Sequence, residues 1–216
     1  MLLLIDKPKG ITSHDVVDVV RRGYDERRVG HAGTLDPNAT GLLIVGVGRE
    51  STKKLGSITK DTDKTYEAEI FLGETRDTDD SEGKIISKST KFTPPPRDIV
   101  NRVIKEFIGK QEQLPPIYSA IKMNGKKAYE LARKGLNLKL NTRNIVVHSI
   151  KLNIYMYPIL TLTCKVSSGT YIRSLARDIG AKLGCGGYLK ELRRTQIGEF
   201  SVEKAISLQE LPQRTR

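Results

Sequence analysis

The sequence predicts a globular α+β chain. Stretches alternating at period two, such as Lys64 to Leu72, mark strands, whereas apolar residues at helical spacing, such as Ile172, Leu175, Ala176 and Ile179, mark helices. With 216 residues and 38% hydrophobic content, the chain can build a proper core in one large domain or two small ones.

Leu2 to Ile5 reads as a buried strand, ended by the turn Lys7-Pro8-Lys9-Gly10. Thr12 or Ser13 can cap a helix bearing Val16, Val17, Val19 and Val20 that stops near Gly23. Neither helix nor regular strand is expected from Gly30 to Pro37, because glycine permits positive φ and Pro37 drives Asp36 toward an extended backbone. Leu42 to Val47 is a core strand, and Ser51 to Thr59 a short helix with Leu55 and Ile58 inward. The alternation of Lys64 to Leu72 puts Tyr66, Ala68, Ile70 and Leu72 on one face, with Tyr66 on the buried side.

The acidic run Glu74 to Gly83 invites a calcium reading. An EF-hand loop aligned on Asp77 would need glycine at Glu82 and a bidentate glutamate at Lys88, so a solvated hairpin loop is expected instead. Thr93-Pro94-Pro95-Pro96 is a stiff break before a helix bearing Ile99, Val103 and Phe107, which Gly109 terminates. Ile117 to Lys122 reads as a strand, followed by an Asn124-Gly125 turn and a basic helix, Lys126 to Lys134, capped by Gly135. Ile145 to Tyr157 and Ile159 to Val166 are strands joined at Pro158, and Gly169 turns the chain into a helix carrying Arg173 in its first turn. The helix dipole disfavours a cation there, which suggests a purpose beyond the helix; an exposed arginine paired with Asp178 or Glu191 fits the same pattern.

The 37 lysines and arginines against 25 acids give a net charge of +12, which favours a polyanionic partner. Lys122, Lys126, Lys127, Arg133, Lys134 and Lys139 concentrate that charge around Tyr129; a solvated face and a polyanion contact explain the run equally well. Cys164 and Cys185 form no C-x-x-C pair, and His14, His31 and His148 are scattered, so neither a disulfide framework nor a metal site is expected. With no signal-peptide pattern and no run near the roughly 20 apolar residues of a membrane span, a soluble cytoplasmic protein is expected.

The chemistry centres on Gly30-His31-Ala32-Gly33-Thr34-Leu35-Asp36-Pro37-Asn38-Ala39-Thr40-Gly41, a shaped loop presenting Asp36. Alone, it is also an ordinary turn in which the carboxylate bonds its own backbone. Four blocks in order decide more: Asp6 to Ser13, Gly30 to Leu43, Lys64-Thr65-Tyr66 and Gly169-Thr170-Tyr171-Ile172-Arg173, with Leu114 to Lys127 and Leu192-Arg193-Arg194 beside them. Across nearly its whole length the chain resembles the TruB family of tRNA pseudouridine synthases.

The resemblance implies a central mixed, mostly antiparallel sheet flanked by helices and loops, with a cleft at its centre. It implies one catalytic domain over 1–211, with a basic RNA-clasping segment near 122–143 and a tail at 212–216. The further C-terminal RNA-binding domain of many bacterial members is not expected here. The implied reaction isomerises uridine 55 in the T-loop of tRNA. By position, Asp36 resembles the essential carboxylate, Tyr66 the aromatic stacked on the target base, and Arg173 the partner of the aspartate. His31, Tyr171 and Leu192 resemble substrate contacts, and Lys122, Lys126 and Lys127 fall in the clasp. Asn38 departs from the usual apolar residue after Asp-Pro.

A stacked uridine must be extruded at a cost of a few kcal/mol, which stacking on Tyr66 would offset by about 1–3 kcal/mol. An ionised carboxylate can attack sugar or base or remove a sugar proton, and Arg173 would hold Asp36 ionised against desolvation. Tyr66 is also a candidate base for the C5 proton. No redox or group-transfer step arises, so no cofactor is expected; nor is an obligate protein partner or a membrane. The competing readings are a non-catalytic tRNA-binding or RNA-folding module, and a synthase directed by a guide RNA, as in dyskerin relatives.

Overall fold

The computed structural model describes residues 1–60, 62–89, 93–119, 121–123, 125–132, 136 and 140–212. The chain begins with β1 (Leu2–Lys7), α1 (Ser13–Tyr24), β2 (Val29–Ala32), β3 (Thr40–Val47), α2 (Arg49–Thr59) and β4 (Lys64–Leu72). Next come β5 (Glu74–Arg76), β6 (Ile85–Lys88), α3 (Arg97–Lys105), β7 (Gly109–Gln113), β8 (Lys122–Met123), β9 (Lys126–Lys127) and α4 (Ala128–Ala132). It ends with β10 (Arg143–Met156), β11 (Ile159–Val166), α5 (Ile172–Lys182), β12 (Gly187–Ile197) and β13 (Phe200–Ser201). One compact unit comprises Met1–Glu67, Lys165–Ser168 and Glu191–Arg216; the other comprises Ala68–Cys164 and Gly169–Lys190.

In the first unit β3 is the central strand. It pairs antiparallel with β1 and β2 and parallel with β12, where Thr40 lies opposite Arg193 and Gly41 opposite Arg194. Leu43, Val45 and Val47 pack with Ile5, Val16, Val17 and Val20, while Leu42 and Ile44 pack with Ala32, Leu55 and Ile197. Both faces are therefore covered, which is why the strand reads as an unbroken apolar run rather than an alternation. Full burial of each such side chain contributes about 1.5–3 kcal/mol. Thr12 caps α1: its hydroxyl accepts from the Asp15 N–H at 3.0 Å, and the Asp15 carboxylate accepts from the Thr12 N–H at 2.7 Å.

In the second unit the strand order is β4-β11-β10-β7, and the antiparallel β10/β7 ladder sets Arg143 opposite Gln113. A mixed sheet with helices against it is the expected α+β class. Both cysteines are buried and free. Among the described residues no three metal-ligating side chains cluster, and no helix is long and apolar enough to cross a membrane.

Local expectations fail in four places. Residues 29–32 form β2, because their main chain pairs with β3 and the bare Cα of Gly30 leaves room for Leu55 of α2. α3 ends at Lys105 and buries Val100, Val103 and Ile104 rather than Ile99; a tighter turn then brings in Phe107, and Gly109 opens β7 instead of capping the helix. β8 and β9 pair Lys122 with Lys127 and Met123 with Lys126, so the strand expected over Ile117 to Lys122 shrinks to β8, and helix starts only at Ala128. Asn124, and Arg133 to Gly135 with the expected cap, lie outside the described residues. The acidic segment after Glu74 is not simply solvated, as its ion pairs show below.

Gly41 has φ of 99°, and a side-chain carbon there would collide with the Arg194 backbone. Gly56, inside α2, faces open space. Gly41→Ala should lower the melting temperature sharply, whereas Gly56→Ala should raise stability by about 0.5–1 kcal/mol; thermal denaturation of the two variants checks both.

Candidate active site

The Asp36 loop is pinned on both sides of the carboxylate. Before it, the Leu35 N–H donates to Ser13 Oγ at 2.9 Å, the Ser13 hydroxyl donates back to the Leu35 carbonyl at 3.1 Å, and both residues are buried. After it, the Pro37 carbonyl accepts from Lys7 Nζ at 3.0 Å and from the Gly10 N–H at 2.9 Å. The Ala39 N–H closes a turn onto the Asp36 carbonyl at 3.0 Å. Asp36 itself is half-buried. The block Asp6 to Ser13 is thus the foundation on which the Gly30 to Gly41 loop is built.

Lys7 has no solvent exposure, and its ammonium also donates to the carbonyls of Pro8 at 2.9 Å and Ile11 at 2.7 Å. Burial pushes its pKa down to about 8, against the opposing pull of the Asp36 carboxylate. Arg194, 1% exposed, fixes the loop's ends: Nη2 donates to the Gly33 carbonyl and Nε to the Leu42 carbonyl, both at 2.8 Å. Both residues fall in the sequence blocks that carry the resemblance, where nothing in the pattern marks their roles. The signal for the burial of Lys7 was present, since period-two alternation puts it on the same inward face of β1 as Ile5.

Other expected site residues of this unit sit close in the topology. His31 lies on β2 opposite Val45; burial, reinforced by Arg194 and His14, lowers its pKa and favours the neutral imidazole. Its buried Nδ1 has no hydrogen-bond partner among the described residues. Leu192, half-buried on β12, accepts from Thr40 Oγ1 at 3.4 Å through its carbonyl, where the Asp36 loop enters β3. Tyr66 is 7% exposed on β4, next to Thr65, whose carbonyl accepts from Thr195 Oγ1 at 3.3 Å. β3 and β4 therefore flank β12 here, about 10 Å apart across two strand spacings.

The second unit holds Arg173 and Tyr171. Arg173 is 7% exposed, which overturns the exposed-arginine alternative. It donates to the Tyr118 carbonyl at 3.0 Å and the Thr78 carbonyl at 3.3 Å, and pairs with Asp80 at 3.4 Å. Asp178 pairs instead with Arg177, and Glu191 with Lys9. Asp79 accepts from Arg177 at 2.9 Å, so the acidic loop is tied to α5 rather than left in solvent. Tyr171 is the N-cap residue of α5. Lys122, Lys126 and Lys127 lie on the β8/β9 hairpin, and their side chains fall outside the described residues.

The sequence matches the profile "TruB family pseudouridylate synthase (N terminal domain)" over residues 21–172, and "tRNA pseudouridylate synthase B C-terminal domain" over 173–215. The chain belongs to the TruB family. It is therefore an isomerase that converts uridine to pseudouridine in tRNA. A tRNA pseudouridine synthase B of Azoarcus sp. (strain BH72) is 43% identical over 97% of this chain and 69% of its own length. Another, from Chlamydia pneumoniae, is 42% identical over 95% of this chain and 86% of its own length. Among solved structures, one described as a Cbf5-Nop10-Gar1 complex superposes with a TM-score of 0.76 at 30% identity, covering 97% of this chain but 53% of that one.

For this TruB-family chain, Lys7 couples stability to pH. Folded Lys7 releases its proton near pH 8, whereas the unfolded lysine holds it to about 10.5, so the cost of burying the charge is complete below pH 8 and falls away as pH rises. Denaturant titrations should show wild type gaining stability relative to Lys7→Met between about pH 8 and 10.5.

Proposed function

We propose that the chain isomerises uridine 55 in the T-loop of tRNA, acting without a guide on a base flipped out of its stack, with Asp36 as the essential carboxylate. The observation that carries this reading is the loop: Asp36 stands between two main-chain tethers, and its charge acts on a buried lysine. A module that only binds RNA has no use for a carboxylate so fixed, since it repels phosphate.

The atoms balance within the nucleotide. The N1–C1′ bond breaks, the base turns, C5 bonds to C1′, and the C5 proton leaves while N1 gains one. Asp36 attacks the sugar or base, or removes a sugar proton, each a role open to an ionised carboxylate. In this reading Arg173 keeps the carboxylate ionised, Tyr66 stacks on the flipped base and accepts the C5 proton, and His31, Tyr171 and Leu192 contact the nucleotide. Lys122, Lys126 and Lys127 hold the T-stem backbone through salt-sensitive contacts. The Azoarcus and Chlamydia relatives, each named a tRNA pseudouridine synthase B, support tRNA as the substrate.

The test is tritium release from C5-labelled uridine in an unmodified tRNA transcript. Wild type should release tritium with no added RNA or protein, and a transcript changed only at the T-loop target should release none. Asp36→Ala should bind the transcript and release nothing; normal release would end the assignment of Asp36. Release only after a guide RNA is added would favour the guided reading, and binding without release a pure RNA-binding module. Tyr66→Phe should keep tRNA affinity and lose turnover, and a fully active variant would remove tyrosine as the base.

A further inference from the structure

Gln113, at the end of β7, is 3% exposed, and its side-chain amide is devoted to one backbone. Its Oε1 accepts from the Tyr171 N–H at 2.8 Å and its Nε2 donates to the Tyr171 carbonyl at 3.0 Å, so a side chain completes a β-bridge to a residue 58 positions away. A primary amide offers a donor and an acceptor side by side; a carboxylate offers only acceptors and leucine neither.

The same stretch grips the first two turns of α5. The Leu114 carbonyl accepts from Ser174 Oγ at 2.8 Å and from Arg177 Nη2 at 2.9 Å, and the Tyr118 carbonyl accepts from Arg173 Nη2 at 3.0 Å. Arg143, opposite Gln113 in register, holds its guanidinium 5.9 Å from the Tyr171 ring centroid and donates to the Gly169 carbonyl at 3.4 Å. Of these contacts, only the Gln113 amide holds both backbone groups of Tyr171, which is itself a poor N-cap with no side-chain capping bond.

We infer that Gln113 is a positioning residue for the isomerisation: it sets the placement of Tyr171 and, through the first turn of α5, of Arg173. This rests on the reading of Tyr171 as a nucleotide contact and of Arg173 as the partner that keeps Asp36 ionised. Misplacement of such groups costs rate rather than ground-state affinity, because tRNA is held mainly through its backbone.

Single-turnover tritium release at saturating tRNA separates rate from folded fraction, since misfolded enzyme lowers the amplitude and not the rate constant. For Gln113→Leu the rate constant should fall about ten- to a hundred-fold with tRNA affinity within about two-fold of wild type. Gln113→Glu supplies the chemical test. As a carboxylate it accepts the Tyr171 N–H but repels the carbonyl, and once protonated its O–H donates to that carbonyl. Its rate relative to wild type should therefore climb as pH is lowered toward the acid's pKa, which burial raises and the Arg143 guanidinium across the strand pair lowers. The corresponding ratio for Gln113→Leu should stay flat. An unchanged Gln113→Leu rate constant, or a Gln113→Glu rate constant equal to wild type at about pH 8, would overturn the inference. Wild type inactive on the transcript would instead sink the proposed function, and full activity of Tyr171→Ala and Arg173→Ala the roles read for those two residues.

Discussion

A lysine ammonium buried where no water reaches it is the constraint on which the candidate site depends. Lys7 gives its three protons to three main-chain carbonyls, those of Pro8, Ile11 and Pro37, and so ties the end of β1 to the far side of the Asp36 turn. Such a charge is costly to bury, and the cost is tolerable only because every donor is used and a carboxylate stands nearby. Arg194 repeats the device on the loop's outer ends, and Ser13 completes it on the near side. The loop is irregular and still well held.

The second unit solves a related problem differently. An arginine in the first turn of a helix opposes the dipole, and Arg173 is kept there by two carbonyls and Asp80. The neighbouring Asp79 does the same for Arg177 one turn later. The acidic segment is thereby a counter-charge for α5, and its departure from a calcium loop has a structural reason: Glu74, Asp79 and Asp80 already have cationic partners.

The regular elements were legible in the sequence because their signals are local. The Thr12 cap, the apolar run of β3, the alternation of β4 and the inward face of α5 all lie where the residues indicate. What was not legible depends on partners distant in sequence. Nothing local says that residues 29–32 will find β3, or that Lys126 and Lys127 will pair with Lys122 and Met123 before a helix can start. The same holds for the site. Asp36 is conspicuous because glycines and a proline surround it, whereas Lys7, Arg194 and Gln113 support the site through backbone atoms, which leave no mark on neighbouring residue types. A lysine on the inward face of a strand was the one available clue.

The tethers from Lys7, Ser13 and Arg194 end on main-chain atoms of the Asp36 loop and its flanks: the carbonyls of Gly33, Pro37 and Leu42 and the amide and carbonyl of Leu35. The path of the turn is thus fixed through its main chain, and nothing in the structure explains the asparagine at position 38. Exposed and two residues before the carboxylate, Thr34 is a natural attachment point for a small fluorescent or spin label, a reporter placed beside Asp36 without displacing a packed side chain.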